Sequence, residues 1–268
     1  MTLSTIRNNP AKQKKVKTKK QKAIAATCAV AFWLLAWHVV SLCVGSELVL
    51  VSPVKVVQTL FTVIFDPDFL KTVWYSAARI LGGFFTALTL GTVLGWVASR
   101  FWIVETLLRP ITAVIKATPV ASFIILVLLW FSGKNLSVII SMLMVFPVIY
   151  MNVLEGVRSA DEKLLEMAQV FRLSVGKKLL YIYLPAVAPF FVSACSVSLG
   201  LCWKSGIAAE VIGTPDGSIG AVFYQAKIFL QTSELLAWTV VVVAVSVAFE
   251  KLFMFLLRLV LKKLKMAV

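Results

Sequence analysis

The sequence predicts an all-α polytopic membrane protein with six transmembrane helices and both termini cytoplasmic. Three observations carry this: bulk apolarity, recurring apolar runs of spanning length, and positive charge gathered on one side. Sixty per cent of the 268 residues are hydrophobic and only 15% are charged, a balance outside the range of soluble domains. A hydrocarbon core about 30 Å thick takes about 20 helical residues to cross. Barrel strands would instead need about ten-residue segments of alternating polarity, and the chain has none.

A basic cytoplasmic tail is expected over residues 1–22, with Arg7, Lys12, Lys14, Lys15, Lys17, Lys19, Lys20 and Lys22. The first span, 23–44, is longer than the apolar core of a signal peptide, so it reads as uncleaved. Ser52-Pro53 and Asp66-Pro67-Asp68 then bracket a moderately apolar stretch that suits an external turn and a surface helix. The second span, 76–99, carries Ala87, Gly91, Gly95 and Ser99 at four-residue intervals, a stripe on which another helix backbone can lie closely. The third and fourth spans, 107–131 and 136–154, are parted by Ser132-Gly133-Lys134-Asn135, and Pro119 and Pro147 are expected to bend them. A polar loop over 155–184 precedes the fifth span, 185–209. An external segment, 210–234, leads to the sixth, 235–257, so residues 23–268 form one membrane domain.

Positive charge orients the array. With the amino terminus inside, twenty of the 27 lysines and arginines fall on the internal side and only Lys55, Lys71, Lys134 and Lys227 outside, as the positive-inside rule requires. The net charge of +15 therefore reflects topology rather than a nucleic-acid surface. Cys28, Cys43, Cys195 and Cys202 sit in or beside spans without metal-ligand spacing, and are expected to pack as apolar residues. The single histidine, His38, argues against a metal or acid–base site built on imidazole. No acidic residue is expected to be buried mid-span.

The long internal loop is the most informative segment. Ser159-Ala160-Asp161-Glu162 has the form of a capping box. Leu164, Leu165, Ala168 and Phe171 then share one helical face, with Lys163, Glu166 and Gln169 largely off it. Ser174 is placed to cap a second short helix ending near Pro185. Two short helices joined by a tight turn would make a compact knob. An amphipathic helix resting on the membrane is the competing reading. Asp161, Glu162 and Glu166 dilute the positive charge such a helix would want.

Glu166-Met167-Ala168, a spacer, then nine residues after Arg172 the run Ile182-Tyr183-Leu184-Pro185 resemble the loop signature of permease subunits in binding-protein-dependent type I ABC importers. That signature reads Glu-Ala-Ala, a spacer, Gly, nine residues, Ile-x-Leu-Pro. Arg172 stands at the glycine and Met167 at the first alanine. Glycine suits such a turn because positive φ costs other residues about 1 kcal/mol or more. Ser52-Pro53, Arg109-Pro110 with Pro119, and Ala208-Ala209-Glu210-Val211-Ile212-Gly213 extend the resemblance toward the taurine, nitrate and sulfonate branch.

The resemblance implies a type I ABC importer permease fold and an ATPase docking helix made by Glu162, Leu165, Glu166, Met167, Ala168, Phe171 and Arg172. Ile182, Leu184 and Pro185 would form the loop exit. It also implies three partners: ABC ATPase subunits, an extracytoplasmic solute-binding protein, and a second permease copy, within membrane lipid and without nucleic acid. ATP and magnesium would sit on the ATPase and no cofactor on this chain. Gly176-Lys177-Lys178 and Gly133-Lys134 fail the pattern of a phosphate-binding loop. The alternative is a secondary transporter or channel, which would use intramembrane acids or inverted repeats.

Lys116 and Lys204 fall inside spans, where a lysine costs about 2.5–3.5 kcal/mol and generally faces a cavity or partner. Either they line a path for an anion with Glu210 nearby, or Lys116 reaches toward the cytoplasm and Lys204 pairs with Glu210.

Overall fold

Within hydrocarbon each segment must satisfy its own backbone N–H and C=O groups, and among the described residues all regular structure is helical. The computed structural model describes residues 19–46 and 48–264. The basic tail expected over 1–22 thus lies almost wholly outside the described residues, as does Lys265.

Residues 1–54 and 55–268 form separate units. In the first, α1 (Lys19–Val44) is apolar on all sides. It exposes Phe32, Trp33 and Leu35, as suits a helix solvated by lipid. The Ser41 hydroxyl donates to the Leu50 carbonyl at 3.2 Å, past a turn in which Gly45 takes a positive φ of 64°.

The rest of the chain is α2 (Pro53–Ile64), α3 (Phe69–Arg100), α4 (Trp102–Ala117), α5 (Val120–Trp130), α6 (Gly133–Arg158), α7 (Glu162–Val170), α8 (Val175–Lys178), α9 (Leu184–Gly213), α10 (Ile219–Ile228) and α11 (Thr232–Lys263). Among the described residues, five helical runs are long and apolar enough to cross a membrane, or six if α4 and α5 count as one broken span.

The core is the packing of α3, α6 and α9. Ile80 and Phe84 of α3 meet Val145, Ile149 and Val153 of α6 and Cys195, Leu199 and Trp203 of α9, all buried. The small-residue stripe makes this possible. A Cβ on Gly91 would lie 2.9 Å from the Ile149 Cβ, and one on Gly95 2.8 Å from the Tyr150 carbonyl oxygen. Backbone meets backbone along α3 and α6, the close approach that small residues permit between helices in lipid. Gly95→Ala is expected to destabilise the chain by about 1–3 kcal/mol through overpacking, read as thermal unfolding in mild detergent. Gly82→Ala on the same helix, where a Cβ meets nothing within 4 Å, should leave the transition in place.

Several elements depart from the sequence reading. The third span, expected over 107–131, is not one rod: α4 and α5 meet at 110°. Pro119 is the cause, since a residue before proline is driven out of the helical region and Thr118 is extended at φ −81°, ψ 133°. Pro147, by contrast, leaves α6 unbroken, with its orphaned acceptor tolerated inside a packed helix. Residues 69–75, expected in an external turn, form the first turns of α3. The expected external segment 210–234 contains α10, whose Ser218 accepts from the Ala221 amide at 3.0 Å as an N-cap. Ile219 of α10 packs with Trp238 and Val241 of α11 and with Val63 of α2, so the helix expected to lie on the surface is short, as a non-spanning helix should be, but packs through Val63 against α10 and α11.

Of the cysteines, Cys195 and Cys202 pack in the core as expected, whereas Cys28 and Cys43 are exposed on α1. Two acids nonetheless lie within the helices, neither of them both fully buried and mid-span. Glu210 is fully buried inside α9, and Glu250, half-buried in α11, accepts from Ser196 of α9 at 2.9 Å. Each carboxylate accepts from a serine hydroxyl, Ser76 for Glu210 and Ser196 for Glu250, which offsets part of the cost of burying it.

Candidate functional site

The loop 155–184 folds into a knob. Its first helix, α7, is capped by Asp161, whose side chain accepts from the Lys163 amide at 2.9 Å. The capping box expected at Ser159 is therefore replaced. Ser159 still belongs to the end of α6, and its hydroxyl donates back to the Gly156 carbonyl at 2.8 Å.

The turn after α7 is a complete Schellman motif. Arg172 N–H donates to the Gln169 carbonyl at 3.0 Å and Leu173 N–H to the Ala168 carbonyl at 2.9 Å. Arg172 itself sits at φ 50°, the left-handed position where glycine is usual. The accompanying apolar contact is present too, with Leu173 beside Ala168, Leu165, Ala160 and Ile182. The glycine-type turn is thus kept with arginine in it. Arg172→Gly should relieve that strain and raise stability by about 0.5–1 kcal/mol, measured as a higher thermal midpoint. An unchanged or lower midpoint would mean that the arginine side chain stabilises the turn.

The apolar face of α7 is split in two. Leu165 and Ala168 turn inward, Ala168 to 2% exposure, while Leu164, Met167, Val170 and Phe171 face out. Phe171 is 71% exposed and Val175, on α8, 84%. Glu162, Glu166 and Arg172 are exposed around them. The expected single face of Leu164, Leu165, Ala168 and Phe171 is corrected accordingly: the inner pair anchors the knob and the outer set is left for contact.

The second short helix does not end near Pro185. Residues from Val175 to Gly213 form one continuous 39-residue helical run, in which Ser174 precedes α8 without a side-chain cap. The join is a π-helical turn, Leu179–Tyr183, where the Leu184 amide donates to the Leu179 carbonyl. The wider turn carries the chain into Pro185, whose ring blocks ordinary i−4 hydrogen bonding. Of the exit residues, Ile182 is buried against the knob, Leu184 is half-buried and Pro185 is exposed. The knob is therefore a rigid extension of α9.

The residues expected along a path are not gathered together. Lys116 lines a cleft of about 640 Å³ between α4 and α6, with Glu105, Arg109, Thr112, Tyr150, Glu155 and Arg158 among its walls. Arg158 closes the α7 end of this cleft with a two-pronged ion pair to Glu105, one prong at 3.1 Å. Lys204 is exposed elsewhere, on α9.

Lys204 is also not the partner of Glu210. The Glu210 carboxylate instead accepts from the Ser76 hydroxyl of α3 at 2.6 Å and from the Gly220 amide of α10 at 3.3 Å. Ser76 in turn accepts from the Ile219 amide at 2.9 Å. A Cβ at Gly220 would strike Glu210, so glycine is what lets the α10 backbone reach the carboxylate. Arg79, three residues along α3 from Ser76, is held over the Tyr75 ring at 4.8 Å and donates to Asn135 at 3.2 Å.

Sequence reasoning missed Tyr150 and Ser76, the serine partner of Glu210, because only the packing of α6 and α3 brings them in. Arg109 and Lys116 were findable: seven residues apart, with Glu105 four before Arg109, they lie on one face of a helix.

Comparisons with known proteins fit this architecture. Residues 87–266 match the family described as binding-protein-dependent transport system inner membrane component. A putative aliphatic sulfonates transport permease protein of Bacillus subtilis (strain 168) is 29% identical over 213 residues, covering 78% of this chain and 76% of the relative. The taurine transport system permease protein of Escherichia coli (strain K12) is 27% identical, covering 80% of each. The nitrate import permease protein of Synechocystis sp. (strain ATCC 27184 / PCC 6803 / Kazusa) is 25% identical, covering 76% of each. In fold, the chain resembles the crystal structure of an amino acid ABC transporter with histidines, with a TM-score of 0.51 at 16% identity over 72% of this chain and 96% of that one. The family match extends from the middle of α3 through the knob into the end of α11, and on that extent this chain belongs to the binding-protein-dependent transport system inner membrane components.

Proposed function

We propose that the chain forms the ATP-driven import path for a small anion such as a sulfonate or nitrate across the cytoplasmic membrane. The chain itself is a non-catalytic, multi-pass permease subunit. ATP and magnesium belong to a separate ATPase, two copies of which dock on a pair of permeases, and a solute-binding protein delivers cargo on the opposite side. The excess of positive charge on one side supports a cytoplasmic knob and cytoplasmic termini.

One observation carries this reading: Leu164, Met167, Val170 and Phe171 are exposed on a small knob whose inner side is packed and whose exit helix continues into a span. An apolar patch of this kind outside the bilayer is a partner surface. Continuity with α9 gives a partner a lever on the membrane core. The anion class is supported by the relatives that are named as sulfonate, taurine and nitrate permeases.

The test is purification of the full chain in mild detergent with a co-expressed ABC ATPase from the same organism, followed by reconstitution with a solute-binding protein. Stable capture of the ATPase and ATP-dependent uptake of a sulfonate or nitrate are expected. An ATPase that never associates would overturn the reading, and uptake coupled to an ion gradient without ATP would replace it with a secondary transporter.

A further inference from the structure

We propose that the cleft between α4 and α6 is an oxyanion site, built on Lys116, Arg109 and Tyr150. It rests on the reading of the chain as an anion import path and names where within the chain the anion is held.

Three features of the cleft point to a ligand. The first is its charge: Glu105 is satisfied by Arg158, whereas Arg109 and Lys116 are in no ion pair among the described residues. Glu155 is the remaining carboxylate in the walls, so two uncommitted cations face one uncommitted anion. The second is Tyr150, which is 1% exposed, lines the cleft, and has a buried hydroxyl with no hydrogen-bond partner. A buried phenol normally finds a partner, and an oxyanion accepts the proton it has to donate. The third is size: about 640 Å³ lies within the range of small-ligand sites.

The antiparallel course of α4 and α6 orders these groups in depth. Glu105 and Arg158 pair at the α7 end. Lys116 is eleven residues further along α4, about 16 Å deeper at about 1.5 Å per residue. Tyr150 is eight residues back along α6 from Arg158, about 12 Å deeper. The ion pair thus sits at the mouth, Arg109 part-way down and Lys116 at the inner end, while the Tyr150 side chain packs beside Val104 and Leu108, on the mouth side of Lys116. An ammonium at the depth of the cleft, with a guanidinium and a phenol nearer the mouth, suits a sulfonate-like head group that accepts from several donors at once.

A sulfonate solute and a lipid phosphate offer the same chemistry, and the test separates them. The full chain is placed in zwitterionic nanodiscs and titrated calorimetrically with sodium methanesulfonate, with methylammonium chloride as the control cation. Methanesulfonate should bind and methylammonium should not. Lys116→Met should weaken binding by about tenfold or more and Lys116→Arg by about threefold or less, as expected for a lost and a retained charge-assisted contact. Tyr150→Phe should weaken it several-fold.

In discs containing phosphatidylglycerol, unchanged methanesulfonate affinity assigns the site to solute. Competition, with the lipid retained through native mass spectrometry in the wild type and lost in Lys116→Met, assigns it to the head group. Binding indifferent to Lys116→Met and Tyr150→Phe in both disc types, or no anion binding at all, overturns the proposal. ATPase capture is read on the same preparations, so failure of the importer reading appears as loss of capture and failure of the site as loss of anion binding alone.

Discussion

Phe171→Asp is expected to abolish capture of the ATPase by detergent-purified permease while leaving the permease's own unfolding transition in place. The two effects separate because the side chain is 71% exposed at the tip of the knob and contributes little to the packing beneath it. Exposed aromatic and methionine side chains at the centre of a docking patch act as hot spots. Loss of one typically costs 2 kcal/mol or more, about thirtyfold in affinity, and a carboxylate buried in the partner's groove adds a desolvation penalty. Met167→Asp, at 55% exposure on the same outer face, should behave likewise. Ala168→Asp supplies the contrast: that residue is 2% exposed against Leu165 and Ile182, so its substitution should unfold the knob itself and lower the transition. Retention of full ATPase affinity by Phe171→Asp would mean the knob docks through another face.

The knob was legible in the sequence because its signals are local. The spacing from Glu166 to Pro185, the apolar face and the turn after α7 all follow from short-range chemistry, and Arg172 keeps the turn despite lacking glycine's freedom. The finer errors are also local. Ser159 and Asp161 can each cap a helix, and which one does depends on where α6 stops, a boundary set by its packing on α3 and α9 rather than by the cap residues. The continuity of Val175 with Gly213 was hidden because Pro185 signals an ending, and a π turn that avoids the ending has no signature of its own.

The cleft was half legible. Arg109 and Lys116 share a helical face by spacing alone, but Tyr150 and Arg158 join them only through the antiparallel contact of α4 with α6. The 110° break at Pro119 was read as a bend within one span, since hydropathy runs straight across it. Glu210 was placed outside the fifth span because apolar counting stops at residue 209, whereas the helix runs to Gly213.

Glu210→Ala is expected to destabilise the chain by about 3–5 kcal/mol, from two stranded buried donors and the void left behind. The carboxylate is fully buried and is the acceptor on which two other elements converge, Ser76 of α3 at 2.6 Å and Gly220 of α10 at 3.3 Å. Alanine would strand both donors, each costing about 1–3 kcal/mol when buried without a partner, and leave a void beside the Gly220 backbone. Glu210→Gln keeps the shape and one carbonyl oxygen toward Ser76, so it should cost less than half as much. A large loss with glutamine as well would show that an ionised carboxylate, rather than the hydrogen bonds, is what holds the site.

The position of the loss is equally specific. Hydrogen exchange in the alanine variant should rise first across α10 (Ile219–Ile228), whose initial amides are tied to Ser76 and Glu210, while the knob at the other end of the Val175–Gly213 helix stays protected. Uniform exchange along the whole chain would instead mean that the carboxylate supports the three-helix core itself. Since α9 joins the knob to this carboxylate without a break, an α10 that loosens alone would mark Glu210 as the link between the lever and the far side of the molecule.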